Sequence, residues 1–372
     1  MKRVLGNLAL VVGALALAFG VGEVVVRTLF ADQNVLYPRY HTDYRYGKYT
    51  LRGTRPSSEF TYTSIDGKWK FVTNSKGFRN AADFPYEKPA GTLRILNLGD
   101  SHTLGTEARQ DFTFSAVAPR ALQARGTAAE GINAGVSGFS TGEALAFLEN
   151  EGVKYRPDVV VLGFYANDFE DNLKAGLFAL EEGRLVEKKH EHIPGVRIQN
   201  VIYSLAPVRW LSENSYFYSL FFNAVWEHFK TLAAKAARAS LPTEYAVAKD
   251  GGPSPLEVDL ATALVLRMNE FCRSNGMRFM VVDIPVRPGA LQFGSSLPAG
   301  MAERLRASGV ELILSGDLLA PYQGTAEMHV PNGQQHISEF THTLIGVEIA
   351  RRIGGERPRE QAPAPGIIPA RH

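Results

Sequence analysis

The sequence predicts an α/β protein: a three-layer α/β/α sandwich with a central, mostly parallel five-stranded sheet. From residue 94 onward, short apolar runs alternate with segments of helical periodicity, which is typical of a parallel sheet with helices on both faces. Polar residues follow several of these runs, and the carboxyl ends of parallel strands share one edge of a sheet, so we expect a site there. The predicted strands are residues 94–98, 131–133, 158–164, 278–284 and 310–314.

The composition fits an enzyme of ordinary size. With 372 residues and 45% hydrophobic content the chain can bury a full core, and a net charge of +2 without a basic cluster argues against a nucleic-acid partner. The single cysteine, Cys272, excludes an intramolecular disulfide and is predicted to be a buried thiol in a helix over residues 257–273. We interpret the charged stretch around His190 and His192 as a solvated loop, so no metal or cofactor is predicted.

An apolar segment at the N-terminus predicts a membrane anchor over residues 1–28. Lys2 and Arg3 precede an apolar run from residue 4 to residue 22, close to the roughly 20 residues that span a bilayer. The basic residues predict a cytoplasmic N-terminus and hence, in a bacterial cell, a single-pass inner-membrane protein whose main domain lies in the periplasm. The alternative is a cleaved signal peptide with a small-residue motif at residues 16–18.

Residues 29–92 predict a small β-rich extension between the anchor and the sandwich. Alternating runs at residues 59–63 and 69–73 flank an Asp-Gly pair, which indicates a hairpin. The following residues 74–79 predict a turn that docks the extension onto the core.

The predicted catalytic domain, residues 93–353, contains an insertion at residues 169–253. A hairpin is predicted over residues 176–186, followed by an aromatic-rich helix around residues 216–222. The insertion comes directly after a polar loop at the expected site, so we weigh a lid equally against core packing. A Pro-rich tail, residues 354–372, is predicted to be disordered.

A serine directly after the first predicted strand is a candidate nucleophile. Residues 99–102 read Gly-Asp-Ser-His, and nearby glycines let the chain turn sharply and present Ser101 outward. The tetrapeptide alone is also ordinary turn chemistry. Three more polar blocks follow in order: a glycine-rich turn at residues 131–138, Tyr-Ala-Asn-Asp at residues 165–168, and His336 ahead of an amphipathic helix. Four independent turns do not readily explain this pattern.

These four blocks resemble the motifs of the SGNH/GDSL hydrolase superfamily, specifically its membrane-anchored bacterial members. The resemblance implies a flavodoxin-like sandwich, an acyl-ester substrate and Ser101 as the nucleophile. It also implies His336 as the base, with the Gly138 backbone N–H and the Asn167 side chain donating to an oxyanion. A histidine base of pKa near 7 and uncharged donors are what acyl transfer at a serine requires.

Other histidines compete with His336 for the role of base. His329 is the main rival, because it lies only seven residues upstream in the same loop region. His102 is adjacent to the serine, and adjacent residues seldom face each other. We interpret His342 as a packing or helix-capping residue, so the motif context favours His336.

The chain departs from the superfamily pattern before the histidine. The family usually has an aspartate two or three residues earlier, where this chain has Gln334 and Gly333. The nearest upstream polar group is Asn332, and the nearest acid is Glu327. We therefore expect a serine–histidine dyad, with the imidazole oriented by a backbone carbonyl or by Asn332.

The predicted function is a serine esterase acting on cell-envelope O-acyl esters. A polysaccharide O-acetyltransferase or deacetylase would use the same residues, so an acetylated polysaccharide is an alternative substrate. The missing aspartate also leaves open a catalytically weak glycan-binding protein of the same fold. Fold alone cannot decide among these.

Overall fold

The structure, a computed structural model, describes residues 2–38, 40–191, 195–239, 252–333 and 335–355. His192, Gln334 and the predicted tail from residue 356 onward lie outside the described residues.

The N-terminal part of the chain forms a long helix and two antiparallel hairpins. Among the described residues, one helix is long and apolar enough to cross a membrane. The second hairpin is the predicted one. The first was not predicted, because its strands lack a regular apolar alternation. The elements are α1 (Lys2–Leu29), β1 (His41–Tyr46), β2 (Tyr49–Thr54), β3 (Glu59–Ser64) and β4 (Gly67–Val72).

Five strands form the central sheet, in the order β13-β10-β7-β5-β6, and every neighbouring pair is parallel. The predicted sheet is therefore confirmed, with ends that differ by one or two residues. The strands are β5 (Leu93–Gly99), β6 (Ala129–Asn133), β7 (Val159–Phe164), β10 (Arg278–Asp283) and β13 (Glu311–Ile313).

Helices cover both faces of the sheet because its strands are apolar on both sides. In β5, Ile95 lies in one buried cluster with residues of α3 and α12, whereas Leu96 lies in the other cluster with residues of α4 and α9. Period-two alternation thus divides one strand between two cores. The helices are α2 (Ser101–Leu104), α3 (Phe114–Gln123), α4 (Thr141–Asn150), α5 (Asp168–Ala175), α9 (Pro255–Ser274), α10 (Ala299–Ala307), α11 (Ser315–Leu319) and α12 (Glu339–Ile353).

In its described residues, the insertion continues after α5 with a hairpin and three further helices. Its hairpin is confirmed, and its helices pack on α1, α5 and the N-terminal hairpins, so the lid over the site stays a prediction. A further small hairpin follows β10. These elements are β8 (Phe178–Glu181), β9 (Arg184–Glu187), α6 (Gly195–Ser204), α7 (Ala206–Asn214), α8 (Tyr216–Ala239), β11 (Val286–Gly289) and β12 (Gln292–Gly294).

The segment after β4 docks the extension onto the central sheet, as predicted. The Arg79 backbone N–H donates to the Asn133 carbonyl at 3.0 Å. The Asn80 side chain donates to the Gly131 carbonyl at 3.0 Å and accepts from the Asn133 N–H at 2.9 Å. This segment therefore bonds to β6, the edge strand next to β5.

Helix α12 packs against α3 through the buried His342, which confirms its packing role. The Nδ1 atom of His342 accepts a hydrogen bond from the Phe114 N–H at 3.3 Å. Burial lowers the pKa of His342 to about 3. The folded state therefore holds this imidazole neutral at pH values where the unfolded chain protonates it.

We predict that His342→Gln makes the fold less sensitive to acid. The unfolded chain protonates a histidine below pH about 6.5, so a residue with a folded-state pKa near 3 costs about 2 kcal/mol of stability at pH 5 relative to neutral pH. Glutamine retains an acceptor and has no such titration. Denaturant unfolding in detergent at pH 5 and pH 7.5 measures the effect, with the exposed His190→Gln as control. An unchanged pH dependence in His342→Gln would contradict this account.

Candidate active site

The candidate nucleophile follows the end of β5 at the carboxyl edge of the sheet. Gly99 has φ of +141°, and a Cβ there would overlap the Thr103 side chain and the Gly163 carbonyl, so the turn requires glycine. The Asp100 carboxylate caps the next turn by accepting from the His102 N–H at 2.9 Å. Ser101 is the first residue of that turn, as the Gly-Asp-Ser pattern predicts.

His336 lies opposite the serine. Its Nε2 atom is 3.0 Å from Ser101 Oγ. A backbone hydrogen bond closes the loop that carries His336, because the Val330 N–H donates to the His336 carbonyl at 2.9 Å. Two residues from loops 235 positions apart are thus brought within hydrogen-bond distance, the geometry that a nucleophile and its base require.

A third residue, Glu107, completes the chain of hydrogen bonds. Its Oε2 atom is 3.0 Å from His336 Nδ1, and its side chain is fully buried. A carboxylate at Nδ1 holds the proton on that nitrogen and leaves the Nε2 lone pair facing the serine. The expected dyad is therefore wrong: the structure contains a Ser101–His336–Glu107 triad.

The same geometry corrects the prediction that Asn332 orients the histidine. The Asn332 amide donates to Asp66 Oδ1 at 2.9 Å, and its backbone N–H donates to Asp66 Oδ2 at 3.0 Å. The turn of the β3–β4 hairpin therefore binds Asn332 at the surface. Glu327 does not bond to the histidine either, since it pairs with Arg287 at 3.3 Å.

Gly333 leaves the space in which the Glu107 carboxylate reaches His336. It stands three residues before His336, where the superfamily usually has its aspartate, and a Cβ on Gly333 would overlap Glu107 Oε2. The carboxylate of Glu107 thus fills space that a side chain at position 333 would need. The sequence signal that could have identified Glu107 was this glycine, combined with an acid six residues after the nucleophile.

Arg79 holds the short loop that carries Glu107. Its buried guanidinium donates to the carbonyls of Leu104, Gly105 and Ala108, at 2.8 Å and 2.7 Å for the first and last. Glu107 itself has φ of +61°, a left-handed conformation that needs support from its surroundings. Burial lowers the pKa of Arg79 to about 9, so it stays cationic near neutral pH.

Asn167 lies on the other side of the nucleophile. It follows β7, and its Nδ2 atom donates one hydrogen to Asp100 Oδ2 at 3.1 Å. An amide has two such hydrogens, so the second remains for a ligand. Burial raises the pKa of Asp100 to about 6, against the lowering effect of its bonds to His102 N–H and Asn167.

Gly138 lies in the loop after β6, which packs beside the nucleophile turn. The Val136 N–H donates to the Gly99 carbonyl at 3.0 Å, and a Cβ on Gly135 would overlap the backbone of α2. Gly138 has φ of +71°, and a Cβ there would lie 3.0 Å from Arg52 Nη1. The glycine-rich block is thus next to the serine, with Arg52 of β2 against it.

The rival histidines have other partners. His329 Nε2 lies 2.8 Å from the Pro285 carbonyl oxygen, and burial lowers the pKa of His329. The His102 ring packs 4.0 Å from the ring of Tyr165, and burial holds its pKa well below the ordinary value. Within the described part of the chain, His336 is the histidine that bonds to Ser101.

The described residues contain no cluster of three or more His, Cys, Asp or Glu side chains that could hold a metal ion. His190 bonds instead to the exposed Glu187 at 3.2 Å.

A buried serine–histidine–carboxylate chain at the carboxyl edge of a parallel sheet defines a site of the serine-hydrolase class. Residues 98–261 match the model of the GDSL-like Lipase/Acylhydrolase family, so this part of the chain is similar to that family. The matched span includes Ser101, Gly138 and Asn167, and it ends before His336. The superfamily resemblance is thus confirmed.

Solved structures with a similar fold include three esterases or acylhydrolases. The lipase/acylhydrolase from Enterococcus faecalis is 19% identical, covering 73% of this chain and 100% of that one, with a TM-score of 0.40. Esterase EstA from Pseudoalteromonas sp. is 14% identical over 70% and 97%, with a TM-score of 0.37. Axe2 from Geobacillus stearothermophilus, an acetyl-xylooligosaccharide esterase, is 12% identical over 72% and 97%, with a TM-score of 0.38. No curated protein matches the chain.

We predict that the acid of the triad can be moved to position 333. Glu107→Gln should lower kcat by about 10⁴, because a neutral amide stabilises the wrong tautomer of the histidine. Glu107→Ala should be similarly impaired, and adding Gly333→Asp should restore part of the activity by supplying a carboxylate from the family's usual position. Gly333→Asp alone should reduce activity, because its side chain overlaps Glu107.

Ester hydrolysis by the four variants measures this, with thermal unfolding as a check on folding. Glu327→Gln is the matched control and should keep near-normal turnover. Equal damage from Glu327→Gln and Glu107→Gln would contradict the assignment of the acid.

Proposed function

We propose that the protein is a serine esterase-type acyl hydrolase in which Ser101 is the nucleophile, His336 the base and Glu107 the acid. The observation that supports this most is the continuous chain of contacts, with 3.0 Å between Ser101 Oγ and His336 Nε2 and 3.0 Å between His336 Nδ1 and Glu107 Oε2. The order of these contacts, from serine to histidine to carboxylate, is the order needed for the histidine to take the serine proton while the carboxylate stabilises the imidazolium.

In the acylation half-reaction, Ser101 Oγ bonds to the acyl carbon while its proton moves to His336 Nε2. The carbonyl π electrons move onto the carbonyl oxygen. When this tetrahedral intermediate collapses, the bond to the alkoxy group breaks, and the departing oxygen takes the proton from Nε2. Glu107 accepts the Nδ1–H bond throughout and stabilises the imidazolium. Water then repeats the same steps on the acyl-serine and releases the acid.

The developing oxyanion requires donors already in place. We assign this role to the backbone N–H groups of Ser101 and Gly138 and to the second hydrogen of Asn167 Nδ2. The bond from Asn167 to Asp100 supports this assignment, because it fixes the amide orientation at the residue preceding the nucleophile. Each such donor is worth about 3 to 4 kcal/mol in the transition state.

We further propose a cell-envelope O-acyl ester as the substrate and a periplasmic position for the domain, with α1 as an inner-membrane anchor. The support is the apolar surface of α1 and the basic residues Lys2 and Arg3 before it. A sugar hydroxyl in place of water would give O-acetyl transfer, and an acetylated polysaccharide as the ester would give deacetylation. The glycan-binding alternative depended on a missing acid, and Glu107 now occupies that place.

We predict that Ser101→Ala abolishes ester hydrolysis and covalent labelling. The wild-type protein should hydrolyse short activated esters such as p-nitrophenyl acetate, and a fluorophosphonate probe should label it at Ser101, because only an activated serine reacts with such a reagent. Mass spectrometry of the labelled peptide identifies the site. Ser75→Ala, an exposed serine in the extension, is the control and should behave as wild type. Labelling that persists in Ser101→Ala would refute the nucleophile.

We predict that Asn167→Ala lowers kcat by about 10² to 10³ with little change in KM, because its donor acts mainly when charge develops on the acyl oxygen. Steady-state kinetics on the same ester separate the two constants. Asn332→Ala, whose amide bonds to Asp66 at the surface, is the matched control and should change neither constant appreciably. An effect confined to KM would show that Asn167 binds the substrate without serving the oxyanion.

A further inference from the structure

Helix α1 is longer than a bilayer needs. Its 28 residues extend about 42 Å, whereas the hydrocarbon core is about 30 Å thick. If the span begins at Val4, after the two basic residues, then about 20 residues bring the chain to Glu23. Glu23 would therefore lie at the outer surface of the hydrocarbon, and whatever Glu23 contacts would lie at the same depth.

Glu23 contacts the junction between α7 and α8. Its carboxylate accepts from Ser215 Oγ at 2.8 Å, from the Tyr216 N–H at 3.1 Å and from the Phe217 N–H at 3.0 Å. One helical turn later, Arg27 donates to the Asn214 carbonyl at 2.9 Å. These bonds attach the start of α8 to α1 at the depth where the span ends.

Apolar packing reinforces that attachment. The ring of Phe217 meets Phe19 edge-on at a centroid distance of 5.3 Å, and it lies against Gly22. Arg27 lies over the ring of Tyr216, 4.9 Å from its centroid. The contact therefore extends from the end of the apolar span to the first charged residues beyond it.

Helix α8 exposes several large apolar side chains. Its buried side near the start carries two small hydroxyl residues, Ser215 at the N-cap and Ser219, which are 3% and 4% exposed. Phe221, Val225 and Leu232 are 67%, 56% and 52% exposed, and their spacing places them on one face, which they share with the exposed His228. At 100° per residue, Phe221 lies about 200° from Ser219 around the helix axis. A helix at the surface of a protein in water turns most of its large apolar side chains toward the core.

The neighbouring helices also expose large apolar side chains. Val201 of α6, Trp210 of α7 and Leu205 between them are 65%, 62% and 51% exposed. Surface clusters of this kind are uncommon on proteins surrounded by water, and tryptophan is enriched at membrane interfaces. These helices form one packed series with α1, because α6 packs on α7, α7 on α8, and α8 on α1 at the Glu23 junction.

We propose that this apolar face of α6–α8, defined by Val201, Leu205, Trp210, Phe221, Val225 and Leu232, inserts into the outer leaflet of the bilayer that α1 spans. The insertion is then an interfacial membrane element that holds the catalytic domain against the lipid surface. The proposal goes beyond the esterase function and rests on α1 as the anchor. Helix α8 also packs on α5, which begins directly after Asn167, so the interface lies close to the candidate site.

The test places one fluorophore at three valines of the full-length protein, reconstituted into phosphatidylethanolamine and phosphatidylglycerol vesicles with the domain outward. Val225→Cys reports the proposed face, Val12→Cys the span, and Val347→Cys an exposed position on α12. Cys272 is buried, and burial raises the pKa of its thiol to about 12, so it should stay unlabelled. An NBD label is read by quenching with nitroxide-bearing lipids and by reduction with external dithionite.

We expect nitroxide lipids to quench the label at Val225, with shallow nitroxides more effective than deep ones, and dithionite to reduce it slowly. Dithionite should rapidly reduce the label at Val347, and nitroxide lipids should not quench it. The label at Val12 should be quenched best by deep nitroxides. Ester turnover measured on the same samples reports the catalytic assignment separately.

Two results at Val225 would overturn the proposal while leaving the anchor intact. Rapid reduction by dithionite, with Val12 in lipid, would show that the α8 face is in water. Protection from dithionite without nitroxide quenching would show that protein covers the face. A label at Val12 that is open to dithionite would remove the anchor, and the lipid surface with it.

Discussion

The buried contact between the Glu107 carboxylate and His336 Nδ1 is the interaction on which the site depends. A carboxylate removed from water costs several kcal/mol unless a partner and hydrogen bonds offset the loss. Among the described residues, Glu107 Oε1 has no hydrogen-bond partner, so within that part of the chain His336 is the main polar partner of the group. Glu107 and His336 therefore fix each other's orientation, and His336 Nε2 faces Ser101.

That contact requires a loop in an unusual conformation, and the loop requires Arg79. Three carbonyls around Glu107 accept from one guanidinium, which belongs to the segment that docks the extension on β6. Hydrogen bonds from a charged donor contribute about 1.5 to 3 kcal/mol each, and a buried cation without them would be costly. The extension also supplies Arg52, which pairs with the buried Glu143 and lies against Gly138. The β-rich extension is thus part of the architecture of the site.

The arrangement of α8 connects the site to the proposed membrane surface. Helix α8 packs against both α1 and α5. Helix α5 begins directly after the candidate oxyanion donor Asn167. A domain held flat on a bilayer would meet esters that are themselves confined to the envelope surface. That geometry reduces the translational entropy cost of encounter for such substrates, whereas a freely tethered domain would gain less.

The sequence by itself determined the sheet, the two layers of helices, Ser101 and its pairing with His336, because local periodicity and short motifs encode these features. It could not identify Glu107, which lies 229 residues from its partner and meets it only when the nucleophile loop packs against the loop before α12. Asn332 was misassigned for the same reason, since the bond to Asp66 depends on where the β3–β4 hairpin lies. Spacing along the chain also showed that α8 is aromatic without showing which face is exposed. Distances between distant segments are set by packing, and packing alone decided the acid and the outward face.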